Sequence, residues 1–462
     1  MKIAFAASEA TPYAKTGGLA DVVGALPAAL ENLGHTVDVF MPRYKGIKGS
    51  LKEKIEVKMV DDYDVNVYKE GNYYFLDYPE FFHRDGLYGT EKGDFPDNCE
   101  RFTLFCKAVA QLIRRGSYDV VHCHDWQTAL IPLYLKINKD KANSVLTIHN
   151  LGYQGRFPAA KYPVLGIDDD YFTPEGIEYY GDINFLKAGI LYSDMVTTVS
   201  ENYAQEIQTP ELGFGLDGVL RTRASNLMGI INGIDYGQWN PQTDELIYHR
   251  YSDHRGKQKN KQALINECCL KDKRALIGIV SRVAEQKGFD ILVKVFDALI
   301  GLGFNIIILG FGDEIYHKKL TTFANVYPQR VSVNIKFDNR FAHRIYASSD
   351  FFLMPSKYEP CGLGQLISLR YGTIPIVRQT GGLADTITDY DPTSVEGNGF
   401  VFTEYSGEHL LAALSRSMMV YNNQEAFKEL SQKCMTYDFS WGKSAKKYIH
   451  LYDKIRKTGG NK

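Results

Sequence analysis

Short apolar runs separated by helix-length amphipathic stretches recur along the whole chain. Ile3–Ala7, Thr36–Met41, Val120–His122, Ser144–Ile148 and Met195–Val199 are predicted strands in the first half. Leu276–Val280, Asn305–Leu309, Val331–Ile335, Phe351–Met354 and Ile374–Val377 repeat the theme in the second. These runs are nearly continuous in apolar residues rather than alternating. Strands of that kind are buried on both faces, as in a parallel sheet covered by helices. Leu19–Leu33 and Arg101–Arg114 carry helical spacing between them. Strand–helix alternation throughout predicts an α/β protein. The most apolar stretch, Val295–Phe311, is broken by Asp297, Gly301, Gly303 and Asn305. It predicts a helix end, a turn and a buried strand, not a membrane span.

The pattern is interrupted once, by the turn cluster Asn240-Pro241-Gln242-Thr243-Asp244 and a polar, lysine-rich stretch after it. This predicts an N-terminal doubly wound domain over 1–240, a linker over 241–256 and a C-terminal doubly wound domain over 257–440. Trp441–Ile455 predicts an amphipathic closing helix, extending to about 458, either a surface helix or one that packs back on the first domain. Two such domains are expected to face a deep cleft at the carboxyl ends of their strands, where ligands bind.

Charge and cysteine usage narrow the function classes. The 53 basic and 55 acidic side chains of the 462 residues leave a formal charge of −2. That balance gives no global attraction to nucleic acid or to an anionic membrane. The seven cysteines are sparse and irregular, and the N-terminal apolar run is too short for a secretory signal. A reduced, cytoplasmic protein is expected.

Several motifs sit at predicted strand ends. Lys15-Thr16-Gly17-Gly18-Leu19 opens a helix, whose free N–H groups and dipole can hold a phosphate. It is neither a Walker A loop nor a dinucleotide fingerprint. Thr16–Asp21 recurs as Thr380-Gly381-Gly382-Leu383-Ala384-Asp385, which suggests a second glycine-rich helix start. His122-Cys123-His124-Asp125-Trp126 hints at a metal, but strand alternation separates Cys123 from the two imidazoles. No second cluster completes a zinc set, so Asp125 and Trp126 are expected to meet a polar ligand such as a sugar. His149-Asn150 ends another apolar run, before a long irregular segment over 152–176. Asp168-Asp169-Asp170 within it reads as a solvated turn.

Arg282 and Lys287 stand five residues apart after the first strand of the second half and can straddle a diphosphate. Glu359-Pro360-Cys361-Gly362-Leu363-Gly364 begins another helix. A glutamate beside a phosphate site is best explained by a sugar attached to that phosphate. The residues alone therefore point to a transferase of phosphate-activated sugars.

Taken together, Lys15-Thr-Gly-Gly-Leu, His124-Asp-Trp, His149-Asn, Arg282 with Lys287, Glu359-Pro-Cys-Gly-Leu and Thr380-Gly-Gly-Leu-Ala-Asp resemble the bacterial glycogen synthase and plant starch synthase family. Tyr78-Pro-Glu-Phe-Phe, Asp97-Asn98, Asn232-Gly-Ile-Asp235 and Phe439-Ser-Trp441 extend the resemblance over the chain. It implies a GT-B architecture of two Rossmann-like domains. It also implies transfer of glucose from ADP-glucose to the non-reducing 4-OH of an α-1,4-glucan, with retention. No metal and no other cofactor are expected. By position, Lys15 and Gly18 would contact the donor phosphates or sugar from the first domain, and Asp21 joins the implied substrate-binding set. Arg282, Lys287 and the N–H groups at Leu363 and Gly364 would neutralise the leaving diphosphate. Glu359, His149 and Asn232 would hold the donor glucose, Asp125, Trp126 and Glu9 would lie toward the acceptor, and Phe337 would meet the adenine. Asn150, Cys361, Gly362, Thr380, Gly381 and Gly382 complete the implied substrate-binding set.

The chain departs from the family pattern at Gly364, where threonine is usual, at Ile367 and Ser368, and at Gln127. Competing readings are a UDP-glucose-dependent or other-acceptor transferase, and a non-catalytic glucan-binding relative. The full set of charged residues disfavours the last.

Overall fold

The computed structural model describes residues 1–47, 53–56, 63–271 and 274–459. The chain forms two compact units, Met1–Asn232 together with the segment from Trp441, and Gly233–Ser440.

Among the described residues, the main sheet of the first unit has nine strands. Lys2–Ala6 lies near its middle, flanked by Thr36–Pro42 and Val120–His124, both parallel to it. The sheet grows outward from there through Asn143–Ile148, Met195–Thr198 and Leu227–Gly229 on one side. On the other side Tyr73–Asp77 is parallel, while Asn66–Glu70 and Glu53–Glu56 are antiparallel. The order reverses between Lys2–Ala6 and Val120–His124, and ligands of doubly wound sheets bind at such a point.

The second unit repeats the plan more simply. Its six strands are all parallel, in the spatial order Val331–Ile335, Asn305–Gly310, Leu276–Val280, Phe351–Met354, Ile374–Arg378, Phe400–Phe402. Numbered along the chain, that order is 3-2-1-4-5-6, the Rossmann arrangement. Ile277, Ile279, Ile306, Ile308, Phe351, Leu353, Ile374 and Ile376 feed one apolar cluster under the helices. Three of the predicted strands in this half match to the residue.

Two expectations about organisation are corrected. The division falls between Asn232 and Gly233, not near 240. The stretch over 241–256 is also no linker, because it is built into the second unit. Asp244 Oδ2 accepts from Tyr371 OH at 2.6 Å and lies 2.7 Å from His343 Nδ1. Tyr251 OH donates to the Tyr371 carbonyl at 2.7 Å. The lysines that follow look solvent-bound in sequence and lie on the helix His254–Glu267, where Lys259 is exposed but Lys257 and Lys261 point inward. Lys257 is buried, donates to the Ala347 and Tyr371 carbonyls at 3.1 Å, and is pushed down to about 7 by burial. Lys261 pairs with buried Asp350 at 2.6 Å.

The segment over 152–176 is also more ordered than expected. Arg156–Pro158, Asp182–Asn184 and Glu178–Tyr179 form a small antiparallel sheet, and Asp169–Tyr171 is a turn of 3-10 helix. Among the described residues, no helix is long and apolar enough to cross a membrane.

The closing helix, Trp441–Gly459, belongs to the first unit, where it packs beside Gly18–Glu31. It buries Ala445, Tyr448, Leu451, Tyr452 and Ile455, which recur at helical spacing. Ser444 Oγ donates to the Ile231 carbonyl at 2.6 Å, and Lys447 and Arg456 pair with Glu201 and Asp119. Its deepest contact is Tyr452 OH, 2.7 Å from His122 Nδ1. The other nitrogen of that ring lies 2.6 Å from Thr147 Oγ1, which in turn meets Thr197 Oγ1 at 2.6 Å. Burial holds His122 down to about 3, so the ring is neutral and one nitrogen donates while the other accepts.

Tyr452→Phe strands one buried nitrogen of His122. A loss of about 1–3 kcal/mol is expected in urea unfolding followed at the first unit. Unchanged stability would show that the contact holds nothing.

Candidate functional site

In the first unit, parallel pairing brings three strand ends side by side. The chain leaves Lys2–Ala6 toward Glu9, Val120–His124 toward Asp125, and Asn143–Ile148 toward His149. Asp125 has a φ of +57° and is half-buried. Its backbone N–H donates to the Thr147 carbonyl at 2.9 Å, and its Oδ1 accepts from the His149 N–H at 2.7 Å. Burial raises this carboxyl to about 7, against the pull of the His149 and Asn150 N–H groups, and the charge of Glu9 adds to the rise. Burial holds His149 down to about 3. Its Nε2 lies 3.0 Å from His124 Nδ1, so two neutral rings share one proton. Asn150 Oδ1 accepts from the Gly152 N–H at 3.0 Å, closing a tight turn after His149.

The glycine loop is organised by the protein's own carboxylate. Glu9 is buried and accepts from Thr16 N–H, from Thr16 Oγ1 at 2.5 Å and from Gly17 N–H at 3.3 Å. Tyr88 OH donates to the same carboxylate at 2.6 Å and lies 2.7 Å from Ser8 Oγ. Glu9, expected toward the acceptor, thus anchors the loop through its own oxygens. The two N–H groups that meet this carboxylate, those of Thr16 and Gly17, lie just before the first turn of the helix Gly18–Glu31. Lys15 pairs with Asp21 at 2.6 Å on the rim of this loop. Trp126, expected to offer a face to sugar, is 8% exposed. It packs edge-on against Phe102 and Phe157, under Gly155. Asn232 is buried, and its Oδ1 has no hydrogen-bond partner among the described residues.

The second unit holds a cavity of about 180 Å³ at its own switch point, between the ends of Leu276–Val280 and Phe351–Met354. Arg282, Lys287, Ser356, Glu359 and the turn at Gly362–Gly364 line it. Lys287 Nζ lies 2.6 Å from Glu359 Oε2, which also accepts from Ser356 Oγ at 3.0 Å. Arg282 donates to Gln286 Oε1 at 2.8 Å, and the Gln286 carbonyl accepts from Lys357 N–H at 2.9 Å. The cationic loop and the glutamate loop are therefore tied together.

The second glycine-rich motif serves as support for this loop. Gly381 has a φ of +43°, and a Cβ there would fall 2.0 Å from the Glu359 carbonyl oxygen. Gly382 N–H donates to the Glu359 and Pro360 carbonyls at 3.1 Å, and a side chain at 382 would strike Cys361. Thr380 is fully buried beneath. Gly382, one of the implied substrate-binding residues, thus directs its N–H to the Glu359 loop. Cys361 is buried, and its carbonyl accepts from Gln365 Nε2 at 3.0 Å. Phe337 is 85% exposed beyond the end of Val331–Ile335.

The His122 ring meets Tyr452 and Thr147 and the His124 ring meets His149, and among the described residues no group of three or more His, Cys, Asp or Glu stands close enough to hold an ion. Tyr88, Ser8 and Ser356 are site neighbours that the sequence reading missed. Tyr88 and Ser356 lie in loops without a repeated pattern, and only the fold brings them to Glu9 and Glu359.

Residues 2–222 match the starch synthase catalytic domain, and residues 260–433 match the glycosyl transferases group 1 domain. A glycogen synthase of Koribacter versatilis is 46% identical, with 99% of each chain covered. The glycogen synthase of Thermotoga maritima is 44% identical over 99% of this chain and all of its own. The chain belongs to the glycogen synthase and starch synthase family. A solved relative, the catalytic domain of starch synthase IV from Arabidopsis thaliana bound to ADP and acarbose, superposes with a TM-score of 0.88 at 33% identity over 99% of both chains. A sucrose-phosphate synthase from Thermosynechococcus elongatus, at 17% identity and a TM-score of 0.63, shares the fold. The two Rossmann-like units are those of the GT-B glycosyltransferases.

The departures of this synthase from its family now have surroundings. A Cβ at Gly364 would lie 2.8 Å from the Phe352 ring and 3.3 Å from Met354 Sδ. The glycine makes room for Phe352 beneath the helix start. Ile367 and Ser368 are buried in the helix Gly364–Arg370, and Ser368 Oγ donates to the Gln365 carbonyl at 2.9 Å. Gln127 is buried and its carbonyl receives the Cys106 thiol.

The raised Asp125 carboxyl has a signed consequence. The folded state keeps this proton up to about pH 7, whereas an unfolded chain loses it near about 4. Its contribution is present at low pH and is lost as pH rises through that window. In urea unfolding, Asp125→Asn is expected to gain on the wild type between pH 5 and pH 8. A gap that stays constant over that range would remove the raised acid.

Proposed function

We propose that the protein transfers glucose from ADP-glucose to the non-reducing 4-OH of an α-1,4-glucan, with retention at the anomeric carbon. The observation that carries this reading is the meeting of Arg282, Lys287 and Glu359 in one cavity at a Rossmann switch point. Breaking a glycosyl–phosphate bond leaves negative charge on the diphosphate and positive charge on the sugar ring. Two fixed cations stabilise the first without reorganising, and a carboxylate next to them suits the second. The family's glycogen synthases and the ADP-bound starch synthase structure support the donor and the acceptor.

Each group then has a role its geometry allows. Arg282 and Lys287 neutralise the diphosphate, aided by the backbone N–H groups at Leu363 and Gly364. Lys287 pairs with Glu359, and an arriving diphosphate takes over that cation. Glu359 then turns to the glucose hydroxyls. His149 stays uncharged at neutral pH, so it can hydrogen-bond the donor sugar without opposing the positive charge that develops there. Asp125 orients His149 through the backbone rather than through the ring. Asn232, whose Oδ1 has no partner among the described residues, and Asn150 complete the sugar contacts. Lys15 and Asp21 form a rim pair that the donor can reopen. With two cations supplied by the chain, the reaction needs no metal.

Three outcomes test this. Glucose incorporation into a glycogen primer should proceed from ADP-glucose in the presence of EDTA; transfer from UDP-glucose alone would overturn the donor, and chelator-sensitive activity would overturn the metal-free scheme. Lys287→Ala should weaken ADP binding about tenfold or more in calorimetry, as expected for a lost charge-assisted bond. Glu359→Ala should lower turnover by orders of magnitude while ADP binds as well as before or better, because Lys287 loses its competing partner. Equal losses of turnover and ADP affinity would return Glu359 to a structural role.

A further inference from the structure

The second unit has another cavity, of about 290 Å³, apart from the one that holds Arg282 and Glu359. Asn240, Gln242, Ser252, Arg370, Gln432 and Thr436 line it, drawn from separate segments of the chain. The helix Gly364–Arg370 has one cavity at each end. Gly364 lines the first, and Arg370 lines the second, about 9 Å further along the helix axis.

Arg370 carries the one charge among the described residues that line this second cavity. Its guanidinium lies 4.4 Å from the centre of the half-buried Tyr236 ring, and its Nε is buried without a hydrogen-bond partner. Among the described residues the side chain makes neither an ion pair nor a hydrogen bond. Other inward-turned cations of this unit are answered, Lys261 by Asp350, Lys287 by Glu359 and Arg344 by Glu267. The carboxylates nearest the lining residues in sequence are committed elsewhere. Asp244 meets Tyr371 and His343, Asp253 accepts from the Gly256 N–H at 2.8 Å, and Asp438 accepts from the Ser440 N–H at 2.9 Å. A basic side chain suits the last turn of its helix, but a helix end carries only about half an elementary charge. The flat fork of N–H donors is left unfilled, and a partly buried cation without a counter-ion is costly.

The rest of the lining is neutral and polar. Asn240 Oδ1 accepts from the Gln242 N–H at 3.1 Å, and Thr436 Oγ1 donates to the Lys433 carbonyl at 2.8 Å. The side chains of Gln242, Ser252 and Gln432 have no protein partner among the described residues. Tyr236, beneath the guanidinium, is fixed as well. Its OH accepts from the Phe439 N–H at 2.9 Å, and the Phe439 carbonyl accepts from the Ile234 N–H at 2.9 Å. The cation thus rests on the pair of segments by which the chain enters and leaves this unit.

We propose that this cavity binds a small hydroxylated oxyanion, a carboxylate or a phosphate monoester, with Arg370 as its counter-charge. A guanidinium held flat on a ring offers its donor edge to an oxyanion in two parallel bonds. The amides and hydroxyls around it suit the ligand's hydroxyl groups. The volume lies near the lower end of small-molecule pockets, about 300 Å³, which fits a small metabolite and not a glucan chain.

The test is calorimetry on the full chain with glycerol 3-phosphate, glycerate and neutral glycerol, with saturating ADP present to block phosphate binding beside Lys287. The wild type is compared with Arg370→Gln and with Gln432→Glu, which sets a carboxylate at an exposed position of the same cavity. At least one of the two acids should bind the wild type, and glycerol should not. Both variants should weaken that acid about tenfold or more, the scale of a charge-assisted contact. Binding of glycerol 3-phosphate alone would assign the phosphate class, and binding of glycerate alone the carboxylate class. Gln432→Glu should keep the wild-type urea midpoint, so its loss of binding is read on a folded protein even where Arg370→Gln unfolds. Failure of both acids to bind the wild type would overturn the proposal. So would wild-type affinity in Gln432→Glu, or glycerol binding as tightly as the acids.

Discussion

Parallel pairing is the constraint on which everything else in this molecule depends. When neighbouring strands run the same way, each connection must return along the outside, and every strand delivers its carboxyl end to the same edge. Glu9, Asp125 and His149 lie far apart in sequence, yet they leave three adjacent strands of one sheet. Arg282 and the Glu359 loop follow the two central strands of the other. Neither group requires a specialised loop architecture. It requires strands apolar enough to be buried on both faces, and the chain supplies these repeatedly.

A second theme is that the charges of the site are balanced within each unit. Glu9 sits on the N–H groups of the first glycine loop, Lys15 on Asp21, and Lys287 on Glu359. Buried or half-buried charges without partners would be costly. The uncharged state of His122, His124 and His149 follows the same logic by another route, since burial removes the proton instead of pairing it.

Legibility in the sequence followed burial closely. Leu276–Val280 and Phe351–Met354 were readable to the residue because nothing polar interrupts them, and Val331–Ile335 because its apolar residues alternate with Ser332 and Asn334. Leu227–Gly229 and Phe400–Phe402 are too short for any period to show, and Asn66–Glu70 is a polar strand near the sheet's edge. The lysines of His254–Glu267 misled because composition cannot reveal that a carbonyl cage or a buried aspartate awaits an ammonium. At the site, residue types were legible and their partners were not. Nothing in the sequence indicates that Glu9 faces inward to Thr16, or that Gly381 exists to let the Glu359 carbonyl approach. The motif order supplied what periodicity could not.

The closing helix gives the chain a nested topology: the second unit is, in effect, inserted between two pieces of the first. During synthesis, Met1–Asn232 leaves the ribosome long before the helix that covers His122. The second unit, by contrast, is continuous and is finished earlier than the unit that began first. The nascent first unit must therefore wait with one face uncovered through the whole production of Gly233–Ser440. Exposed apolar surface held for that long is what chaperones recognise. The last nineteen residues described are thus what turns an early, incomplete fold into a finished one.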